Sequence, residues 1–352
     1  MRTDSVWAAA DTTPEAIEQA LRALLIERHA ANPNSSPARV LNLIVVVDRQ
    51  WSGEIANRLA QVGDYHASRT IVCQVEPGRR TLDATVSVAS DDAAGGARSQ
   101  AVELVVLDIG PHHLTSLETI LDPVVVTDLL TVAWSPHGHD DALDALLRIA
   151  QVVLFDSVDD PVPFDALCRA AALAGRARVV DLAWLRSAPW RERLAALFDP
   201  PNDLRRELDR FSAVTIRHER GSTAAALLLL GWLADRLGWT PGPLASGPRG
   251  VISGSLYALD REVRLTLESS RLDVRGLAGV TIETTAGRSI ALDRGPGGLH
   301  AVRREPGGDE HPWTIMGASR GEGGILGEGI RQALLRDPLY RPALLAAQAL
   351  AG

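Results

Sequence analysis

The hydrophobic pattern of this 352-residue sequence changes along the chain, and that change limits its possible folds most strongly. Residues 40–47 form an almost unbroken apolar run, which is typical of a strand covered on both faces. Apolar and polar side chains alternate strictly over residues 263–268, and the alternation returns at 280–282 and 290–292. Such alternation indicates an antiparallel sheet with one buried face and one wet face. The sequence therefore predicts two domains of different architecture.

Strand-like and helix-like segments alternate up to residue 180. This order predicts an α/β N-terminal domain over residues 1–180, with a Rossmann-like layer and a mixed sheet. Residues 181–352 predict an α+β C-terminal domain. Its antiparallel meander is expected to begin after a Gly/Pro-rich link at 238–250, and two helices, near 325–335 and 338–350, are expected to close the chain.

Composition narrows the classes of function. The formal net charge of -8 makes nucleic acid or an anionic membrane surface a poor principal partner. The chain has no lysine, which excludes Schiff-base chemistry and a Walker-type lysine on a phosphate. Residues 1–10 lack the pattern of a signal peptide, and the longest apolar run, 224–230, is too short to span a membrane. With Cys73 and Cys168 as its cysteines, both interpreted as core residues, we expect a cytoplasmic protein.

Two motifs suggest catalysis, and each has a simpler interpretation. Ser319 stands in a Gly-x-Ser-x-Gly sequence, but the last histidine, His311, precedes it, so the hydrolase order Ser, acid, His cannot be completed. His137 and His139 could ligate a metal if a third ligand came from elsewhere. That segment also precedes a helix that Asp140 or Asp141 would cap. We therefore predict no catalytic residue and no metal site.

No segment matches a phosphate-binding fingerprint. The glycine-rich stretch 321–329 has Leu326 in the last glycine position of Gly-x-Gly-x-x-Gly, and it comes late in the chain. The first junction between strand and helix, residues 48–52, contains no glycine. The N-terminal domain is thus expected to be Rossmann-like in shape without the usual dinucleotide site, and no cofactor is predicted.

Residues 181–191 combine two tryptophans and two arginines around a proline, in a chain with only 4% aromatic residues. Tryptophan and arginine dominate the energetics of protein interfaces, so Trp184, Arg186, Trp190 and Arg191 are candidates for binding a partner. The same residues could equally anchor the junction between the two domains. Composition alone leaves these two interpretations open.

At this segment the chain resembles the OpcA family of glucose-6-phosphate dehydrogenase assembly proteins, which carries Asp-Leu-x-Trp followed by Pro-Trp and Arg. Residues 39–45 are similar to the early strand of the family, and residues 66–72 to its His-Pro-Ser-Arg strand entry. The resemblance covers about residues 39–240. Two positions depart from the family pattern: Ala67 replaces the usual proline, and 133–136 departs from the usual Trp pair before Pro.

The resemblance implies a non-catalytic subunit of the pentose phosphate pathway. It would bind glucose-6-phosphate dehydrogenase, favour its active oligomer and act as an allosteric activator. Trp184, Arg186, Trp190 and Arg191 would form part of the contact, with the wet face of the C-terminal sheet as the second candidate. The alternatives are a hydrolase using Ser319, a metal-dependent enzyme using His137 and His139, and a sugar-phosphate or nucleotide sensor.

Overall fold

The computed structural model describes residues 5–31, 39–60, 68–91, 100–198, 203–259, 261–316 and 321–351. These residues form two compact units, each built from several segments of the chain. Unit 1 comprises Met1–Phe155, Arg176–Val180 and Glu322–Arg336, and unit 2 comprises Asp156–Gly175, Asp181–Gly321 and Asp337–Gly352. Residues 156–175 therefore belong to unit 2 although they precede residue 180, and residues 322–336 belong to unit 1 although they follow it. The sequence suggests a single boundary at residue 180.

The strands are β1 (Ser5–Ala9), β2 (Leu41–Asp48), β3 (Ser68–Val75), β4 (Asp83–Asp91), β5 (Gln100–Ile109), β6 (Leu130–Trp134), β7 (Val152–Phe155), β8 (Arg178–Asp181), β9 (Phe211–Glu219), β10 (Thr240–Ser246), β11 (Ile252–Ala258), β12 (Arg261–Ser270), β13 (Leu277–Thr284), β14 (Ser289–Gly295), β15 (Gly298–Arg304) and β16 (Glu310–Met316). The α-helices are α1 (Pro14–Ala31), α2 (Ser52–Ala60), α3 (Leu117–Leu121), α4 (Asp140–Leu146), α5 (Pro163–Ala174), α6 (Leu182–Arg186), α7 (Ala188–Phe198), α8 (Thr223–Leu237), α9 (Glu322–Ala333) and α10 (Tyr340–Ala351).

The described strands of unit 1 form one sheet in the order β1-β4-β5-β3-β2-β6-β7-β8. The pairs β5-β3, β3-β2, β2-β6 and β6-β7 are parallel, whereas β1 and β4 add an antiparallel edge. Strand β2 is buried from Leu41 to Val47, as its apolar run predicts, because helices can cover both faces of a parallel sheet. Arg178 on β8 donates 2.8 Å to the carbonyl oxygen of Ala333 at the end of α9, a contact inside unit 1.

The strands of unit 2 form a second sheet in the order β10-β11-β12-β9-β13-β14-β15-β16. Its strand pairs are antiparallel except for β9 and β12, which run parallel. Helix α8 contacts β9 and β12, and α10 contacts α8, α5 and β10. A Cβ atom at Gly231 of α8 would lie 2.8 Å from the amide nitrogen of Ala347 on α10, so glycine permits this close helix pairing.

The predicted fold class is confirmed: a mixed α/β sheet occupies the N-terminal part, and a largely antiparallel sheet occupies the C-terminal part. Two local expectations were wrong. The Gly/Pro-rich link contains β10, which accepts Pro241 and Pro243 because it is an edge strand. The second difference is the parallel pairing of β9 with β12 inside the expected meander. In the described part of the chain, none of the helices has the length and apolar character that spanning a bilayer requires.

Candidate functional site

The segment singled out in the sequence, residues 181–191, makes a turn between two helices of unit 2. Asp181 caps α6, because its carboxylate accepts from the backbone N–H of Ala183 at 2.9 Å. Ser187 closes α6, and α7 starts at Ala188. All four predicted contact residues are buried: Trp184 and Trp190 are 2% exposed, Arg191 is 9% exposed, and the Arg186 side chain is 6% exposed.

Trp184 and Arg191 stack on each other. The guanidinium carbon of Arg191 lies 3.4 Å from the centroid of the Trp184 ring, a cation–π contact. The same guanidinium donates to the backbone oxygen of Trp184 at 2.7 Å and to the hydroxyl of Ser187. The Trp184 indole donates to Asp337 at 2.7 Å. Burial lowers the pKa of Arg191 to about 10, and the nearby Asp337 carboxylate opposes that shift.

Arg186 takes part in a buried ion cluster. Its two terminal nitrogens reach the two oxygens of Asp156 at 2.8 and 2.7 Å, a fork-like pairing. Arg275 pairs with Asp159 and approaches Asp156 to 3.8 Å. Burial raises the pKa of Asp159 to about 6, and the charge of Asp156 adds to the shift. The cluster thus gathers carboxylates whose mutual repulsion the arginines offset.

Asp181 itself is the centre of a second buried network. Its carboxylate accepts from the hydroxyl and the backbone N–H of Ser157, the latter at 3.2 Å, and from the hydroxyl of Tyr340 at 3.1 Å. Burial raises the pKa of Asp181 to about 6, helped by the charge of Asp156. Burial and the same carboxylate hold the pKa of Tyr340 well above its ordinary value.

These contacts give the tryptophans and arginines of the motif a structural role, because they hold separate segments of unit 2 together. The motif joins the segment before α5, the turn at α6 and the start of α10. Burial of Trp184, Arg186, Trp190 and Arg191 favours a structural role within unit 2 over direct contact with a partner, which stays a prediction. Sequence reasoning missed the partners Asp156, Ser157, Asp337 and Tyr340. The signal for the first two was their position directly after the apolar run 152–155.

A cavity of about 340 Å³ lies beside the ion cluster in unit 2. It is lined by Val158, Glu219, Gly221, Ser222, Leu272, Asp273, Val274 and Arg275. Its polar groups bind each other: the Glu219 carboxylate accepts from the backbone of Gly221 and the hydroxyl of Ser222, both at 2.9 Å, and Arg275 is held by Asp159. The cavity therefore offers little unpaired positive charge to the phosphate group of a sugar phosphate.

The histidine pair lies at the carboxyl end of β6 in unit 1, next to the end of β2. His139 Nε2 stands 3.1 Å from Asp48 Oδ1, and the ring of His137 lies 5.7 Å from that of Trp51. Burial lowers the pKa of His137, which disfavours its charged form. Within the described residues, no group of three or more His, Cys, Asp or Glu side chains could hold a metal ion. The metal-dependent alternative thus lacks a third ligand there.

The first junction between strand and helix carries Asp48, Arg49, Trp51 and Ser52. Arg49 pairs with Asp108 on β5, and Glu54 lies in the first turn of α2. Carboxylates at the start of a helix compete with the phosphate groups that helix N-termini otherwise attract. This arrangement does not suit a dinucleotide pyrophosphate.

The glycine-rich stretch after Gly321 belongs to a helix. Helix α9 begins at Glu322 and buries Gly323, Gly327 and Gly329, and it contacts α2 and β7 of unit 1. Small residues let these elements approach closely, which is a packing role. Ser319 lies outside the described residues. Cys73 is buried, and burial raises the pKa of its thiol to about 12; Cys168 is half-buried.

Two family models match the chain. One, described as the glucose-6-phosphate dehydrogenase subunit N-terminal domain, matches residues 59–172. The other, described as the C-terminal domain of the same subunit, matches residues 177–344, which include the 181–191 motif. Together they cover most of the chain.

Curated relatives with the same description, putative OxPP cycle protein OpcA, are similar to parts of the chain. The Synechococcus elongatus protein is 28% identical over 216 residues, which are 60% of this chain and 47% of that protein. The Synechocystis sp. protein is 36% identical over 126 residues, which are 33% of this chain and 26% of that protein. The chain thus spans less than half the length of these relatives.

Solved structures of low sequence identity have a related shape. An oxidoreductase from Sinorhizobium meliloti has a TM-score of 0.48 and 13% identity, over 88% of this chain and 94% of that one. An oxidoreductase from Bacillus cereus has a TM-score of 0.44 and 10% identity, over 87% and 94% of the two chains.

Proposed function

Because this chain belongs to the OpcA family of glucose-6-phosphate dehydrogenase subunits, we propose that it binds that dehydrogenase and promotes its active oligomer. The observation that carries the proposal is the match of both halves, residues 59–172 and 177–344, to the two domains of the subunit family. The name of the relatives, putative OxPP cycle protein OpcA, supports a role in the pentose phosphate pathway. We propose a cytoplasmic site of action for the complex.

Activation would work by population shift. A partner protein that binds one conformation of the enzyme more tightly than another stabilises it by the difference in binding free energy. A tenfold preference corresponds to about 1.4 kcal/mol. Because such coupling is reciprocal, substrate that favours the same conformation would tighten the complex by the same factor. The chain needs no catalytic group for this role.

The other candidate functions have less support. The histidine alternative has Asp48 as its neighbouring carboxylate, but the described side chains there form no group that could hold a metal ion. A sensor of sugar phosphates would need free positive charge, whereas Arg275 beside the cavity is already paired with Asp159. We therefore propose binding rather than catalysis as the activity of the chain.

Co-purification of the full chain with the dehydrogenase of its own organism tests the proposal. The dehydrogenase is assayed with glucose 6-phosphate alone and with the added chain. We expect a stable complex, a larger oligomer by sedimentation and a raised rate at low substrate concentration. A dehydrogenase that is fully active alone and forms no complex with the chain would contradict the proposal.

A further inference from the structure

One face of the unit 2 sheet, here called the outer face, is exposed in the chain. It is the face that carries Thr215, Thr266 and Thr281, which lie side by side in register on β9, β12 and β13. On β12, Val263, Leu265 and Leu267 point to the opposite, buried face. The side chains of Arg264, Glu283 and Asp293 on the outer face are 72%, 52% and 50% exposed.

A row of small uncharged side chains crosses the middle of the outer face. In register from β11 to β16, omitting none of the intervening strands, it consists of Ser253, Thr266, Thr215, Thr281, Ala291, Val302 and Pro312. With neighbouring strands about 4.8 Å apart, the row is about 30 Å long. A sheet face that meets water carries polar side chains, and the side chains of this row are short and carry no charge. The row shares one property with the centre of an interface, which is the depletion of charged residues.

Two of the charged side chains that flank the row pair across the sheet. Arg217 on β9 reaches Asp293 on β14 at 2.7 Å, passing over Gly279 of the intervening strand. A Cβ atom at Gly279 would collide with both side chains, so glycine permits the pairing. Arg217 also donates to Thr281 at 3.1 Å. Because Arg217 and Asp293 are paired with each other, covering these two side chains leaves neither of their charges unpaired.

An exposed aromatic side chain stands at one end of the outer face. Tyr257 on β11 is opposite Glu262 of β12 and is 49% exposed. Its ring packs over Gly242 of β10, where a Cβ atom would lie 2.9 Å from it. At the tip of the same hairpin Leu259 is fully exposed with a φ of 42°, a backbone conformation that is costly for a bulky residue. An exposed tyrosine of this kind is a typical anchor of a protein interface. Leu259 adds exposed apolar area at the same end of the face.

We propose that the outer face is the surface through which this chain binds glucose-6-phosphate dehydrogenase. The inference rests on the proposed function and adds the location of the contact. Three rows of side chains along about 30 Å cover on the order of 600 Å² in projection, comparable with the ~800 Å² that each partner buries in a standard complex.

Charge decides between the dehydrogenase and a second copy of this chain. Carboxylates outnumber arginines on the outer face, which carries Glu262, Glu268, Glu283, Asp293 and Glu310 against Arg217, Arg264 and Arg304. Two copies, each with a net charge of -8, would repel each other there. The face therefore fits a different protein, with an uncharged flat centre and a basic rim.

The test introduces arginine into the row and at matched positions elsewhere. Thr215→Arg and Val302→Arg change the outer face, whereas Thr85→Arg and Val6→Arg make the same substitutions at exposed strand positions of unit 1. The Kd of the full chain for the dehydrogenase is measured by calorimetry, and folding by the melting temperature. We expect at least a 100-fold weaker Kd for the first pair and less than a threefold change for the second.

The outcomes separate the inference from the proposed function. If the unchanged chain does not bind the dehydrogenase, the proposed function itself fails. If it binds and the outer-face variants bind equally well, the inference is overturned and the function stands. Equal losses in Thr85→Arg and Val6→Arg also overturn it. A chain that is dimeric alone and becomes monomeric on Thr215→Arg assigns the face to a second copy instead.

Tyr257→Ala guards against a folding artefact, because an exposed side chain can be shortened without disturbing the core. We expect at least a tenfold weaker Kd with an unchanged melting temperature. Unchanged binding by this variant, together with lowered melting temperatures in the arginine variants, would overturn the inference.

Discussion

Tyr340 donates its hydroxyl to the carboxylate of Asp181 at 3.1 Å, although 159 residues separate the two in the chain. Both side chains are buried, so the bond ties the start of α10 to the cap of α6 without competition from water. Ser157 contributes the remaining side-chain hydrogen bond to the same carboxylate. A titratable group at this position couples the stability of unit 2 to pH.

We expect Asp181→Asn to change the pH dependence of stability. The pKa of Asp181 is raised from 3.8 to about 6 in the folded chain, so the folded chain holds this proton more tightly than the unfolded chain. The added stability is complete below pH 3.8 and is lost as pH rises through about 6. As the pH rises from about 4 to about 6, the free energy of unfolding of the unchanged chain should fall further than that of Asp181→Asn. The difference between the two falls should be on the order of 2 to 3 kcal/mol.

Urea unfolding at intervals from pH 4 to pH 7 measures this difference. Asp159, whose pKa is also raised to about 6, titrates in both proteins and cancels when the two curves are subtracted. Parallel curves for the two proteins would contradict the role assigned to Asp181.

Trp190→Ala should destabilise the chain by about 3 to 5 kcal/mol, because it removes a large side chain that is only 2% exposed. Trp51→Ala is the matched control. Trp51 is 45% exposed, and its loss should change the free energy of unfolding by less than about 1 kcal/mol. Denaturant unfolding measures both. A Trp190→Ala chain that keeps full stability but loses binding to the dehydrogenase would return Trp190 to the partner contact.

Arg186→Ala should cost about 3 to 5 kcal/mol, since it leaves the buried Asp156 carboxylate without its fork-like partner. The pair Arg331–Glu328 on α9, in which the Arg331 side chain is 50% exposed, provides the contrast. Breaking it with Arg331→Ala should cost less than about 1 kcal/mol because water screens surface charges. The double change Arg186→Met with Asp156→Leu should recover most of the loss. Equal effects of the two arginine changes would show that burial does not govern the ion cluster.

Two helical glycines should respond oppositely to alanine. Gly231→Ala on α8 forces a Cβ atom against the backbone of α10, so we expect a loss of at least about 2 kcal/mol. Gly53→Ala on α2 meets nothing within 4 Å and should gain up to about 1 kcal/mol from the higher helix propensity of alanine. Thermal unfolding of both variants checks the signs. A stable Gly231→Ala chain would contradict the close packing of α8 and α10.

Pattern sufficed for the sheets, because burial on one or both faces leaves a direct trace in the spacing of apolar residues. The run 40–47 and the alternation at 263–268 were both placed in the correct kind of sheet. Pattern failed for β10, whose prolines imitate a linker, and for the pairing of β9 with β12, since periodicity carries no information on strand direction.

The candidate site was only half visible in the sequence for a related reason. Trp184, Arg186, Trp190 and Arg191 stand out by residue type, but residue type does not distinguish a buried anchor from an exposed one. Their partners Asp156 and Asp337 come from distant segments, so no local spacing reports them. The uncharged row of the outer face became visible once strand order and register were known.

The polypeptide passes between unit 1 and unit 2 at residues 155–156, 175–176, 180–181, 321–322 and 336–337. Neither unit is therefore encoded by one uninterrupted stretch of the gene. A fragment ending at residue 180 would lack α9, and a fragment starting at 181 would lack α5. A single break of the chain at residue 180 would therefore interrupt both units at once.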